Sequence, residues 1–100
     1  MALCDSVRMY HALRYHFVED YLERREPLRA EHLDLARAAA ERGELLLAGA
    51  FTDPADEALL VWATDDRATV ERFVQADPYV TAGLVTNWTI RAWNVVIGGR

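Results

Sequence analysis

The stretch ELLLAGAFTDPADEALLVWAT, residues 44–64, decides the fold because it places two short apolar runs on either side of a turn. Residues 44–51 and 57–64 have the apolar composition of buried strands, while TDPAD at 52–56 has the proline and polar residues of a turn. Two strands joined by so short a link form a hairpin. We therefore predict a β-hairpin at the centre of the chain.

A first helix is predicted before this hairpin, over residues 24–42. The segment is rich in Ala, Leu, Arg and Glu, which have high helix propensity. Pro27 lies in the first turn, where its missing N–H costs little, and Gly43 is a helix stop.

A second helix is predicted after the hairpin and ends at Ala76. Either Asp65 or Asp66 can cap its first turn, because a carboxylate accepts hydrogen bonds from the unpaired N–H groups there. Pro78 disfavours helical geometry at Asp77, so the helix ends at about that point.

Two longer strands complete the pattern, at residues 7–18 and 86–97. The first alternates apolar and polar residues, and the second is rich in β-branched residues and tryptophan. The order β-α-β-β-α-β is the ferredoxin-like pattern of the α+β class, with two helices on one face of an antiparallel sheet. We expect one domain over 7–100, with a flexible lead-in at 1–6.

The composition excludes several classes of protein. Hydrophobic residues form 52% of the 100-residue chain, which rules out a disordered tail. The formal charge is −5 without a basic cluster, so we expect no nucleic-acid partner. Cys4 is the only cysteine, which excludes an intrachain disulfide framework and a CxxC site. No apolar run is long enough to cross a membrane and no signal-peptide core is present, so we expect a cytoplasmic protein without a membrane partner.

One face of the predicted sheet has no helix to cover it. On the first strand this open face carries Tyr10, Ala12 and His16. Large open sheet faces are usually buried by a partner chain. We therefore expect a homodimer in which two sheets stack face to face.

His32 and Asp77 interrupt otherwise apolar helix faces. Because both helices cover the same side of the sheet, the two side chains could meet in one cleft. A carboxylate beside an imidazole fixes one tautomer and leaves the other nitrogen for a substrate proton. An ionised Asp77 at a helix C-terminus would be disfavoured by the helix dipole, and a hydrogen-bonding partner would relieve that cost. The same pair could also be purely structural, and spacing alone leaves both interpretations open.

Arg29 and Tyr79 are candidate substrate-binding residues beside this pair. Arg29 lies one turn from His32 and could hold an anionic substrate, or it could be a solvated arginine near acidic neighbours. Tyr79 could donate a hydrogen bond into the cleft, or it could pack beneath the loop. We expect no metal, because His32 and Asp77 are too few ligands for a closed site.

Four short motifs together resemble the YCII-related (YciI-like) family over residues 7–97: Arg29-x-x-His32-Leu33, Gly49, Asp77-Pro78-Tyr79 with Gly83-Leu84, and Trp93-Asn94-Val95-Val96. The resemblance implies a ferredoxin-like protomer that forms a dimeric α+β barrel. It also implies a His–Asp active site at His32 and Asp77, with Arg29 and Tyr79 as neighbours. The turn of the hairpin, TDPAD at 52–56, contains Pro54 and no glycine, which departs from the Gly-rich turn common in the family.

The residues and the resemblance together lead to a hypothesis of function. We expect a cofactor-independent, isomerase- or lyase-like enzyme that uses His32 and Asp77 for general acid/base chemistry on a small carbonyl or carboxylate compound. The alternative is a non-catalytic module that binds a small ligand or another protein.

Overall fold

A computed structural model describes residues 9–99, in which four strands form one antiparallel sheet. The sheet order is β2-β3-β1-β4, with the strands β1 (Tyr10–Phe17), β2 (Leu45–Ala50), β3 (Glu57–Trp62) and β4 (Val85–Trp93). The helices are α1 (Tyr21–Arg24), α2 (Arg29–Glu41), α3 (Arg67–Ala76) and α4 (Pro78–Thr81), with a 3₁₀ turn at Glu26–Leu28. The expected lead-in at 1–6 lies outside the described residues. Within residues 9–99, no helix is long and apolar enough to cross a membrane.

The central hairpin is confirmed, and the last strand is shorter than predicted. β2 and β3 pair antiparallel, with Ala50 opposite Ala58. β4 ends at Trp93, which pairs with Tyr10 at the start of β1. The predicted extension to residue 97 was wrong because β1 offers no further partner in the described chain beyond Tyr10.

The predicted first helix at 24–42 is divided into α1, the 3₁₀ turn and α2. Pro27 lies in the 3₁₀ turn rather than in the first turn of one long helix. A proline ring inside a continuous helix clashes with the carbonyl group four residues earlier and removes one hydrogen bond. A separate turn avoids both effects, so Pro27 divides the predicted helix.

Glycines end α2 and α4 in the same way. Gly43 and Gly83 both have φ of 84°, a conformation that is strained for residues with a Cβ atom. After α4, the Gly83 N–H donates to the Val80 carbonyl and the Leu84 N–H donates to the Tyr79 carbonyl. The corresponding bonds from Gly43 and Glu44 end α2. This pair of bonds turns the chain sharply back towards the sheet.

The helices pack on one face of the sheet and leave the other face open. Leu13 and Tyr15 of β1 are buried in a core that includes Val70 and Phe73 of α3. Their neighbour Arg14 points to the opposite face, because successive side chains of a strand alternate. The Asp66 side chain accepts a hydrogen bond from the Ala68 N–H and caps α3, as one of the two predicted alternatives.

Candidate functional site

Asp77 lies at the junction of α3 and α4 and is completely buried. Its Oδ1 atom accepts a hydrogen bond of 3.0 Å from the Tyr79 N–H, so its side chain caps the start of α4. Asp77 therefore lies at the C-terminal end of α3, as expected, and it also caps the start of α4, which the sequence did not indicate. A helix start stabilises a negative charge, which offsets the unfavourable end of α3.

The Asp77 side chain is hydrogen-bonded at both oxygen atoms. His32 Nδ1 lies 2.8 Å from Oδ1, and the Tyr15 hydroxyl group donates to Oδ2 at 2.8 Å. Together with the Tyr79 N–H, these groups satisfy a carboxylate that has no access to water. The two polar residues predicted from helix spacing thus meet directly.

The hydrogen bond to Asp77 determines which nitrogen atom of the His32 ring carries the proton. An ionised carboxylate can only accept hydrogen bonds, so His32 Nδ1 carries a proton and donates it to Oδ1. In the neutral ring, Nε2 then has the free lone pair. This assignment follows from the hydrogen-bond network and leaves one ring nitrogen able to accept a proton.

Aromatic rings fix the orientation of His32. Its ring stacks on Tyr79 with centroids 3.8 Å apart and planes at 5°, and Phe73 meets it edge-on at 6.5 Å. The His32 side chain keeps 15% of its surface exposed, whereas Asp77 has none. The imidazole is thus held between aromatic contacts, and the His32 side chain still reaches solvent.

His32 borders a cleft of about 330 Å³ between α2 and the sheet, which is near the lower end of the size range of small-molecule sites. Arg25, Arg29, Arg37 and Tyr79 also line it, and none of the described residues in its wall is acidic. Arg37 pairs with Asp34, with 3.4 Å between Nη1 and Oδ1. Within residues 9–99, neither Arg25 nor Arg29 forms an ion pair with a carboxylate. The cleft therefore offers positive charge without a competing negative group.

The two tyrosines beside Asp77 stay protonated at ordinary pH. Burial, followed by the charge of Asp77 and the hydrogen bond to it, raises the pKa of Tyr15 far above its usual value. Burial also raises the pKa of Tyr79 to about 12, with a further contribution from Tyr21. Both hydroxyl groups can therefore act as hydrogen-bond donors.

Sequence reasoning missed Tyr15 and Arg25. Tyr15 belongs to the first predicted strand, whose alternation does not reveal a polar role, although a buried tyrosine hydroxyl usually requires a partner. Arg25 fell within the predicted first helix, and the division of that helix at Pro27 moves it into the wall of the cleft.

The other two histidines lie elsewhere. His11 is buried, and its Nδ1 atom is 2.9 Å from the Thr64 carbonyl oxygen. His16 lies on the open face beside Glu57, whose pKa is lowered by a hydrogen bond from Arg14. Neither histidine borders the cleft beside α2.

Two solved structures have a similar fold. 5-Chloro-2-hydroxyhydroquinone dehydrochlorinase (TftG) from Burkholderia phenoliruptrix AC1100, in complex with 2,5-dihydroxybenzoquinone, is 18% identical, with a TM-score of 0.72 over 85% of this chain and 93% of that one. An antibiotic biosynthesis monooxygenase is 16% identical, with a TM-score of 0.52 over 89% of this chain and 99% of that one. At these identities the likeness concerns the fold, which is ferredoxin-like in both.

No curated protein matches the sequence. A family model, described as the YCII-related domain, matches residues 9–94. Since this match spans most of the chain and includes the His32–Asp77 pair and the cleft, the chain belongs to the YCII-related family.

Proposed function

We propose that this chain is a small-molecule enzyme in which His32 and Asp77 perform general acid/base chemistry on a small carbonyl or carboxylate compound. One observation carries the proposal: an imidazole bound at Nδ1 by a buried carboxylate borders a cleft while the His32 side chain remains partly exposed. A purely structural pair would not need this access.

The proposed reaction begins with proton abstraction next to a carbonyl group. His32 Nε2 accepts the proton, the electron pair of the broken C–H bond forms an enolate, and Asp77 stabilises the imidazolium. In an isomerisation, His32 returns the proton to another carbon atom. In an elimination, the electron pair expels a leaving group from the adjacent carbon and a double bond forms. Arg29, in the wall of the same cleft, stabilises the negative oxygen.

A similar structure supports the class of reaction. TftG is described as a dehydrochlorinase and was solved with 2,5-dihydroxybenzoquinone, a flat cyclic carbonyl compound. Loss of hydrogen chloride is an elimination, which is the lyase-like branch of the chemistry proposed for this chain. At 18% identity this support concerns the type of chemistry that the fold can hold and does not identify a substrate.

The proposal includes a homodimer in the cytoplasm, with the open sheet face as the interface and a dimeric α+β barrel as the assembly. Leu47 and Trp93 are among the exposed large hydrophobic residues, and they pair with Val61 and Tyr10 on that face. Large apolar side chains exposed on an uncovered sheet face are typical of a protein–protein interface.

The catalytic role can be tested without a known substrate. Small carbonyl acids and cyclic ketones are incubated with the protein in deuterated water, and NMR measures deuterium uptake next to each carbonyl group. For any compound that reacts, we expect His32→Gln to lower the exchange rate by about 10²- to 10⁴-fold, since it removes the base. The matched variant His16→Gln leaves the rate unchanged.

Equal exchange rates in the wild type and His32→Gln would contradict the proposal. Compounds that bind tightly at the cleft but never exchange or react would favour the alternative of a binding module.

A further inference from the structure

Two residues that line the same cleft each carry a buried donor atom without a hydrogen-bond partner. Among the described residues, the buried side-chain atoms without a hydrogen-bond partner are Arg25 Nε, Tyr79 Oη and Trp62 Nε1. Arg25 and Tyr79 line the cleft beside His32, whereas Trp62 does not. Buried polar groups are nearly always satisfied, and leaving a donor unpaired costs free energy. Two such donors in one cleft indicate a ligand that brings hydrogen-bond acceptors.

The guanidinium group of Arg25 is held in place without a counter-charge. It lies 5.2 Å from the centre of the Tyr21 ring, and its Nη1 atom donates to the Tyr21 hydroxyl group at 3.3 Å. The aromatic contact fixes the plane of the guanidinium group. Since no carboxylate in residues 9–99 pairs with it, its charge remains available to a ligand.

The charge of the cleft differs in sign from that of the chain. The chain carries a formal charge of −5, yet the described wall of the cleft contains three arginines and no acidic residue. Arg37 is partly neutralised by Asp34, which leaves Arg25 and Arg29 as the available cations. The rest of the wall includes the aromatic rings of Phe17, Tyr21 and Tyr79, which suit a flat ligand.

We propose that Arg25 determines substrate specificity: with Arg29 and the Tyr79 hydroxyl group, it binds the anionic oxygen atoms of a small, flat carbonyl compound that carries a carboxylate or an enolate. The anion site follows from the unpaired donors and the charge of the cleft. The inference that its occupant is a substrate rests on the proposed function, because that function places the reacting carbon atom beside His32.

The test uses benzoate and benzamide, which are nearly equal in shape and differ in charge. Isothermal titration calorimetry measures both dissociation constants for the wild type, Arg25→Gln and the matched control Arg24→Gln. Arg24 is its exposed neighbour, which pairs with Asp20. We expect the wild type to bind benzoate more tightly than benzamide. Arg25→Gln should weaken benzoate binding by about 10- to 100-fold and leave benzamide unchanged, while Arg24→Gln changes neither.

Arg25→Lys separates charge from geometry. It keeps the positive charge but lacks the Nε–H donor and the planar fork, so benzoate binding should fall between that of the wild type and Arg25→Gln. Circular dichroism checks that each variant is folded. If Arg25→Gln does not fold, Arg25→Lys decides the question, because wild-type benzoate affinity in that variant would overturn the role of Nε.

The proposal is overturned if the wild type does not bind benzoate, if benzoate and benzamide bind equally, or if Arg25→Gln behaves like Arg24→Gln. Benzoate binding by the His32→Gln variant distinguishes failure of the anion site from failure of the proposed catalytic function. We expect that variant to retain benzoate binding, since His32 is not part of the anion site. Selective benzoate binding without turnover of any compound would support the anion site and refute the catalytic role.

Discussion

Tyr15 and Tyr79 are buried tyrosines beside the same carboxylate, but their hydroxyl groups differ. Tyr15 donates to Asp77 Oδ2 at 2.8 Å, whereas the Tyr79 hydroxyl has no hydrogen-bond partner within residues 9–99. The first hydroxyl completes a network on which the imidazole depends. The second is a buried donor without a partner, on a residue that lines the cleft.

Replacing each tyrosine by phenylalanine tests this difference. Tyr15→Phe leaves Asp77 Oδ2 unpaired and should lower the free energy of unfolding by about 1–3 kcal/mol. Tyr79→Phe removes an unsatisfied buried hydroxyl and should leave the free energy of unfolding unchanged or raise it. Urea denaturation measures both values. Equal destabilisation by the two substitutions would show that the Tyr15–Asp77 bond has no special role.

At this scale, the sequence predicts part of the site. His32 and Asp77 stand out because they are polar residues on apolar helix faces, and the structure places them 2.8 Å apart. Tyr15 does not stand out, since tyrosine is common on buried strand faces. Its hydrogen-bond partner, Asp77, is 62 residues away in the sequence. The contribution of Arg25 depends on the course of the backbone at Pro27, which helix periodicity does not reveal.

At the scale of elements, the turn from α3 into α4 assembles the site. Asp77 ends one helix and caps the next, Tyr79 stacks on His32, and Gly83 then directs the chain into β4. Asp77 and Tyr79 of the Asp-Pro-Tyr motif thus each have a structural role. The site is therefore sensitive to the geometry at both ends of α4.

Gly83→Ala should destabilise the protein by about 1–2 kcal/mol, because a side chain is strained at its φ of 84°. A steric clash is not the cause, since nothing lies within 4 Å of the position that a Cβ atom would take. Gly49→Ala is the matched control, because it also has open space and no positive φ. Its effect on thermal or urea unfolding should be within about 0.5 kcal/mol. A similar effect of both substitutions would contradict the strain argument.

The elements themselves are largely predictable from the sequence. Alternation, apolar runs and the acidic cap before α3 identify the strands and that helix, because each depends on local side chains. The end of β4 and the division of the first helix at Pro27 are harder to predict from the sequence. The first depends on the length of a partner strand, and the second on competition between high helix propensity and one proline ring.

At the scale of the whole molecule, the open sheet face determines the expected assembly. Dimer formation predicts a sedimenting mass of twice 11.4 kDa for the wild type. Leu59, which pairs with Arg14 on the open face, is the test position. We expect Leu59→Lys to shift the protein towards the monomer, because a buried unpaired charge is strongly disfavoured at an apolar interface.

Leu22→Lys is the control, since Leu22 is exposed on α1 outside the sheet. It should leave the sedimenting mass of the wild type unchanged. A monomeric wild type at all concentrations would remove the face-to-face dimer and the barrel from the proposal.

The arginine-lined cleft also has a consequence for the kinetics of capture. With a formal charge of −5, the molecule repels a distant anion, and the attraction of Arg25 and Arg29 acts only at short range. Long-range electrostatic steering therefore does not accelerate arrival, in contrast to enzymes whose whole surface attracts the ligand. Added salt should screen the repulsion during approach and the attraction after docking, so it should raise both the association and the dissociation rate constants, which have opposite effects on affinity. Selectivity for an anion thus arises at the moment of contact rather than during diffusion.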